Sequence, residues 1–325
     1  MLFNVCALYI KIMNNENQTI HKSDDNLTIY GWNEKLNQLK QESIYSALAH
    51  GRVSIVHRTC YEVISGNGLF QCELTGNMMY GKSDDELPCT GDWVIFQPFD
   101  EHKGIIVDSL PRERTLYRKK SGTVADKQAI ASYVDKAFIV QSLDDNFNVR
   151  RVERFMVQIM EENISSVLVL NKADLDFDRQ SVEEQIKHIS SQIPVFFTSI
   201  HQLETIVRLR KSISEGETVV FVGSSGVGKS SLVNALCEKP VLLTSDISLS
   251  TGKGRHTSTR REMVLMDSSG VLIDTPGVRE FGLAIDNPDS LAEVLEISDY
   301  AELCRFKDCK HINEPGCAVL EAVNS

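Results

Sequence analysis

No apolar run in this 325-residue sequence approaches the roughly 20 residues that a bilayer-spanning helix needs. The opening MLFNVCALYIKIM is apolar but short. It lacks a basic start and has no small-residue cleavage site before the polar NNENQ, so it reads as an N-terminal strand or a disordered tail rather than a signal peptide. Internal repeats and low-complexity tracts are missing too. Net positive charge is also lacking. The formal charge is −11, which argues against a protein coated in positive charge for nucleic acid and leaves room only for a local basic surface. These absences place the chain in the cytoplasm, where thiols stay reduced. Its eight cysteines are then core residues or metal ligands, not disulfides.

What is present is an ordinary globular composition, 42% hydrophobic and 24% charged, on a chain long enough for two domains and a small third. Residues 1–50 are polar, with GWNEKLNQLKQ suggesting one short helix. From Gly51 the texture alternates between apolar and polar: RVSIVHRTCYEVI, GLFQCELTG, DWVIFQPF and KGIIVDSL. Period-two runs broken by Gly, Asn and Asp turns read as short antiparallel strands. Four or five such strands suit a small closed barrel, of which the oligonucleotide/oligosaccharide-binding (OB) barrel is one candidate. A basic connector, PRERTLYRKKSG, follows. Beyond it KAFIVQSL, SVLVLNK, PVFFTS, TVVFVGS and GVLIDTP alternate with helical patterns such as VRRVERFMVQIMEEN and KSSLVNALCEK. That alternation means a mostly parallel sheet with helices on both faces.

TVVFVGSSGVGKSSLVNAL is a strand, then G-x-x-x-x-G-K-S, then a helix, which is the context this motif needs. Gly223, Gly226 and Gly228 let the backbone of Ser224, Ser225 and Val227 wrap a phosphate chain with N–H groups inward. The helix that opens at Lys229, Ser230 and Ser231 adds the positive end of its dipole. Lys229 is expected to reach the β- and γ-phosphates and Ser230 to hold Mg²⁺. In GVLIDTPG the apolar strand ends at Asp274, placed to hold Mg²⁺ through water, and Gly277 can turn its N–H toward the γ-phosphate.

NKADL, residues 171–175, follows the apolar strand SVLVL, the strand end where such sheets bind ligands. A carboxylate at Asp174 can accept from the N1–H and N2 amino group of guanine. Adenine offers no donors there and would strand the charge, at a cost of a few kcal/mol. Asn171 would approach the carbonyl and N7 side of the base, the Lys172 stem would lie along the ring, and Ala173 completes the loop. Ser199, at the end of PVFFTS, would wall the pocket. In many GTPases this tetrapeptide comes after the phosphate loop, whereas here it comes before. The conflict disappears if the sheet is intact in space and the chain ends have moved, a change tolerated where termini lie close together.

NKADL, GSSGVGKSSLVNAL, GRHTSTRRE, LIDTPGVREF and CRFKDCKHINEPGCAV occur in this order, and in this the chain resembles the circularly permuted, ribosome small-subunit-dependent GTPases from about Gly51 onward. The resemblance implies a multidomain α/β protein. Its parts would be an extension over 1–50, an OB-like barrel over 51–115, a permuted P-loop GTPase domain over 116–282 and a zinc-binding helical module over 283–325. It further implies GTP hydrolysis to GDP, stimulated by the small (30S) subunit during its late maturation. The expected partners are that subunit and its 16S rRNA, with the chain itself a monomer. Members usually continue past the zinc module into a terminal helix. With the chain stopping at Ser325, a module shortened against the family is expected.

The glutamine that follows D-x-x-G in many GTPases is replaced by Val278, which cannot orient water. GKGRHTSTRRE occupies the place of the first switch. Thr257 is the first choice for the hydroxyl on Mg²⁺ and the γ-phosphate, with Thr259 in reserve. His256 matches the residue the family is proposed to use to orient water, and it equally reads as a loop histidine or an RNA contact. Cys304, Cys309, His311 and Cys317 form C-x4-C-x-H-x5-C, a set that closes a tetrahedral structural zinc site. Basic residues at 112–120, at Arg150, Arg151 and Arg154, at 253–261 and at Arg305, Lys307 and Lys310 suit a positive face on an acidic body.

Overall fold

The computed structural model describes residues 26–83, 85–119, 127–238, 262–266 and 269–274, together with 300, 303–306, 309, 315–319 and 321 near the C-terminus. Five strands close a barrel: β1 (Ala49–Val56), β2 (Tyr61–Ser65), β3 (Gly68–Leu74), β4 (Trp93–Asp100) and β5 (Lys103–Ser109). β1 pairs with β2, β2 with β3, β3 with β5 in parallel, β5 with β4, and β4 back with β1. This circuit is the partly parallel closure of an OB-type barrel. Strict alternation in β2 sends Tyr61 and Val63 inward, where they meet Val53, Phe70, Cys72, Val94, Phe96 and Ile106. At Gly104 a Cβ would lie 2.7 Å from the Phe96 ring and 2.9 Å from Cys72 Sγ, so the barrel closes only because no side chain stands there. The short helix α1 (Glu34–Glu42) starts where Asn33 accepts the Leu36 N–H. Leu27, Trp32 and Leu36 pack onto Trp93, Ile95, Leu110 and Tyr133, on the outside of the barrel.

Arg52 ties these parts together. It is buried, and its guanidinium donates to the carbonyls of Gly91, Tyr30 and Tyr133. Three chain segments are thereby fixed by one side chain whose charge is met by peptide dipoles. Burial lowers its pKa to about 10, so it stays charged at neutral pH. Within the basic connector runs β6 (Leu116–Lys119), which pairs antiparallel with β7 (Lys127–Ala131) just beyond it, a pairing that the sequence pattern did not announce.

The second unit carries β8 (Lys136–Ser142), β9 (Ser165–Asn171), β10 (Val195–Thr198), β11 (Thr218–Val222), β12 (Glu262–Met266) and β13 (Ser269–Asp274). They stand in the order β10-β9-β8-β11-β13-β12. All neighbours are parallel except β12, which runs antiparallel to β13. β12 then meets β1 at Ile55 and Glu262, which joins the sheet to the barrel. Helix α2 (Gly76–Gly81) belongs to the barrel. Helices α3 (Val149–Glu161), α4 (Arg179–Gln185), α5 (Lys187–Ser190), α6 (Leu203–Arg210) and α7 (Lys229–Leu236) belong to the sheet. In α3 the apolar residues Val152, Phe155, Met156 and Ile159 recur at helical spacing and join one core with Ile139, Leu168, Leu170, Val220 and Val222. The opposite face packs Ile206 and Leu209 of α6 and Leu232 and Val233 of α7 against Phe138, Val140, Val169 and Phe221. Each such residue, when fully buried, contributes roughly 1.5–3 kcal/mol. No helix among the described residues is long and apolar enough to cross a membrane.

Candidate functional site

Parallel strands deliver their carboxyl ends to one edge, and the expected site residues converge there. β9 ends at Asn171, which is buried. Its Nδ2 donates to the Val227 carbonyl at 2.8 Å, and its Oδ1 accepts from Thr198 Oγ1 at 3.2 Å. Gly228 lies directly against it, since a Cβ built there would sit 2.3 Å from Asn171 Nδ2. NKADL and the phosphate loop are therefore one site. The inverted order along the chain is undone in space.

The rest of NKADL is held from outside the motif. Lys172 adopts φ 62° and pairs with Asp144 at 2.7 Å. Asp144 also accepts from Ser142 Oγ at 2.6 Å and from the Asn146 N–H at 3.0 Å. Burial pulls the Asp144 pKa upward, but the Lys172 ammonium and these donors hold it below the ordinary carboxylate range. The Ala173 N–H donates to the Thr198 carbonyl at 3.0 Å, docking the loop on the end of β10. Asp174 is exposed, and one carboxylate oxygen accepts from the Ser199 hydroxyl. That hydroxyl is the main reason its pKa is lowered. Ser199 is buried, and its Oγ also receives the His201 N–H at 3.0 Å. A charged carboxylate is thus presented at the mouth of the edge, able to accept two donors from a base.

The phosphate loop is built from backbone. Gly223 and Gly226 have φ of 148° and 81°, and Gly228, the N-cap of α7, has φ 94°. All three are left-handed values that favour glycine. Val227 is buried beneath the loop, while Ser225 and Gly226 are exposed at its crest. The Lys229 ammonium is held by the carbonyls of Gly223 and Ser224, both at 2.8 Å. No side chain caps α7, so the N–H groups around Ser230 and Ser231 face the loop as an anion site needs. β13 lies beside β11, with Ile273 opposite Val220. Asp274, the last residue of β13, therefore comes to the same edge. His256, Thr257, Gly277 and His311 lie outside the described residues.

Near the C-terminus the ligand atoms of Cys304, Cys309 and Cys317 all lie within 4.8 Å of one another. The Cys304 and Cys317 sulfurs are 3.9 Å apart. Tetrahedral coordination with Zn–S bonds of about 2.3 Å places sulfurs about 3.8 Å apart, so this spacing fits zinc and is far too long for a disulfide. Slight desolvation opposes ionisation of Cys304, but N–H groups of Val319 and Ala318 and the neighbouring thiols lower its pKa. By contrast, Cys72, Cys89 and Cys237 are buried, and burial pushes the Cys72 thiol up to about 12. They are core residues, as expected.

Three contributors escaped the sequence reading: Thr198, Asp144 and Arg151. The first two stand next to strand ends that had been drawn, which was the available signal. Arg151, which the sequence groups with Arg150 and Arg154 as a basic cluster, donates from Nη1 to Ser224 Oγ in the phosphate loop at 3.1 Å, and Arg150 pairs with Glu153.

Comparison with known proteins agrees with this geometry. The family model described as RsgA GTPase matches residues 109–284. A Bacteroides thetaiotaomicron protein named small ribosomal subunit biogenesis GTPase RsgA 1 is 74% identical over 313 residues, covering 96% of this chain and 86% of its own length. A Methanosarcina acetivorans protein named small ribosomal subunit biogenesis GTPase RsgA is 38% identical over 322 residues, covering 96% of this chain and 85% of its own. Among solved structures, YjeQ from Thermotoga maritima superposes with a TM-score of 0.61 at 26% identity, over 85% of this chain and 91% of that one. YloQ, titled a circularly permuted GTPase, gives a TM-score of 0.58 at 22% identity over 87% and 90%, a likeness of fold. A phosphate loop joined through Asn171 to an NKADL that precedes it, together with these matches, makes the chain a member of the RsgA GTPase family.

Proposed function

We propose that this chain hydrolyses GTP in the cytoplasm during late maturation of the small ribosomal subunit, and that the subunit and its 16S rRNA raise the rate. One observation carries the reading. The Asn171 amide bonded to the Val227 carbonyl at 2.8 Å fixes the base-reading loop to the phosphate loop, so a single guanine nucleotide can touch both. Asp174 accepts the two donors of guanine, with Ser199 steadying its charge. The second N–H of the Asn171 amide faces N7, and the Lys172 stem covers the ring. Residues 223–231 wrap the phosphates, Lys229 turns from the loop carbonyls to the β- and γ-phosphates, and the N–H of Gly277 meets the γ-phosphate.

Ser230, Thr257 and, through water, Asp274 suit Mg²⁺, whose contribution when bound is to neutralise charge on the β- and γ-oxygens. The fit rests on hard oxygen donors, hydroxyl and carboxylate, beside a loop whose φ values and open helix end form a cradle for the phosphates. His256 orients the attacking water, since Val278 cannot. Water adds to the γ-phosphorus, the β–γ bridging oxygen leaves with its electron pair, and GDP and phosphate result. Catalysis is thus positioning plus electrostatics. Cys304, Cys309, Cys317 and His311 hold one structural zinc. The printed names of the relatives support the ribosomal role.

Turnover of GTP and of ATP, each with and without purified small subunits, tests this. Hydrolysis of GTP alone, rising steeply with subunits, is the expected result. Equal use of ATP, or GTP turnover indifferent to subunits, would leave instead a general nucleotide hydrolase or a nucleotide-switched RNA-binding module.

A further inference from the structure

Arg151 stands in the first turn of α3, behind the capping Asn148. Its guanidinium donates to Ser224 Oγ at 3.1 Å and to the Asn146 carbonyl at 3.2 Å. Both partners are neutral, and no carboxylate lies within ion-pair distance of it among the described residues. Several arginines of the fold are matched by acids, Arg112 by Asp92, Arg114 by Asp135, Arg150 by Glu153 and Arg210 by Glu238, while Arg52 and Arg118, which like Arg151 bond to neutral groups, lie away from the phosphate loop. A guanidinium is a planar fork suited to two anionic oxygens, and phosphate provides that geometry. Ser224 is the second residue of the loop shaped to collect a polyphosphate. A cation with no counter-charge among the described residues therefore stands at the rim of the anion site.

The same site has no glutamine after DTPG, where Val278 stands. We propose that Arg151 acts as a built-in arginine for the transferring phosphoryl group, an inference that rests on the GTPase reading. With GTP in the loop the guanidinium exchanges Ser224 Oγ for a γ-phosphate oxygen. As water bonds to the γ-phosphorus and the bond to the β–γ bridging oxygen breaks, negative charge gathers on that oxygen and on the γ-oxygens. Arg151 stabilises this charge and stays protonated throughout, while the proton of the water passes to the phosphate product. The role differs from that proposed for His256, which orients the water. It also assigns Arg151 to the nucleotide rather than to RNA.

The rival is purely structural: Arg151 holds the loop still through Ser224. Two substitutions separate the readings, because Ser224→Ala removes the tie and leaves the guanidinium. Full-length wild type, Arg151→Ala, Arg151→Lys and Ser224→Ala would be compared with Mg²⁺ present. The measurements are single-turnover GTP hydrolysis, affinity for GDP, and affinity for GDP with aluminium fluoride. Arg151→Ala should slow hydrolysis by about 10²-fold or more, approaching the lower end of what a transition-state arginine is worth. It should weaken GDP–aluminium fluoride in parallel while GDP affinity stays within about threefold. Arg151→Lys should recover part of the rate, and whatever Ser224→Ala loses should appear equally in GDP and in GDP–aluminium fluoride affinity, leaving their ratio at the wild-type value. An equal fall in that ratio in Arg151→Ala and Ser224→Ala, or a normal rate in Arg151→Ala beside an active wild type, would overturn the proposal alone. A wild type that hydrolyses no GTP, with or without small subunits, would overturn the parent reading as well.

Discussion

The two ends of the proposed nucleotide site are made from different parts of the residue. At the base end the working atoms belong to side chains. Asn171, Lys172 and Asp174 are each held by another side chain: Thr198, Asp144 and Ser199. At the phosphate end the cradle is backbone, shaped by glycines at positive φ and an uncapped helix start. Side-chain recognition depends on single atoms, so one substitution can rewrite it. A backbone cradle is indifferent to most side chains and fails only when its path is blocked. Asn171 belongs to both ends, which makes Gly228 the place where they break together.

Gly228→Ala therefore carries the largest expected effect. The new Cβ would sit 2.3 Å from Asn171 Nδ2 at a φ of 94°, which pushes the loops apart and strains the turn. Affinity for GDP should fall by at least about 10³-fold, since a few kcal/mol of clash and strain convert at about 1.4 kcal/mol per tenfold. Titration with a fluorescent GDP analogue measures it. Near-normal binding would mean that the two loops are not rigidly coupled.

Asp174→Asn comes next and touches the base end alone. The amide offers a donor where guanine also has one, so guanine affinity should fall by about 10²-fold, or about 2–3 kcal/mol. Xanthine nucleotides, which carry a carbonyl at that position, should bind better than in wild type. A variant that loses both bases equally would place Asp174 outside the pocket.

Sequence showed each end, and the permuted order implied that they meet, but not the contact that joins them. GSSGVGKSS and NKADL are local strings, readable because glycine spacing and strand context are local properties. The five parallel strands were legible for the same reason, from KAFIVQSL to GVLIDTP. What escaped depends on contacts between distant residues. Nothing local says that Asn171 bonds to Val227, that Arg151 reaches Ser224, or that β12 runs on into the barrel through Ile55. The β6–β7 pair hid because β6 lies in a basic stretch whose charges, not its alternation, dominate the pattern. Two cores, one on each face of the sheet, follow from apolar periodicity. A buried arginine such as Arg52, paired with three carbonyls, breaks that periodicity and reads from sequence as a surface residue.

A smaller effect sharpens the base end. The Ser199 hydroxyl lowers the pKa of Asp174, so the carboxylate stays charged, and able to accept guanine, down to a lower pH than an ordinary aspartate. Ser199→Ala removes that donor and moves the pKa up toward its usual value. Guanine affinity should drop about three- to tenfold at neutral pH, the worth of one hydrogen bond. On acidification, binding should begin to fail at a higher pH than in wild type. GDP titrations across an acid pH series read both. Parallel pH profiles would show that Asp174 does not depend on Ser199.

The smallest effect comes from setting two buried amides side by side. Asn171 has partners for its oxygen and its nitrogen, and through them it joins the ends of the site. Gln141, on the neighbouring strand β8, is fully buried, and neither Oε1 nor Nε2 has a partner among the described residues. It stands opposite Leu170 and two residues after Ile139, on the apolar face packed by α3. An unbonded buried amide costs about 1–3 kcal/mol, whereas leucine of similar volume belongs on that face. Gln141→Leu should therefore stabilise, raising the thermal midpoint by about 2–4 °C, with GDP affinity unchanged. Asn171→Leu, which keeps the branched shape but removes both bonded polar atoms, should lower both. If Gln141→Leu melts earlier, its amide is bonded by chain beyond the described residues, and the contrast with Asn171 is one of partner rather than of use.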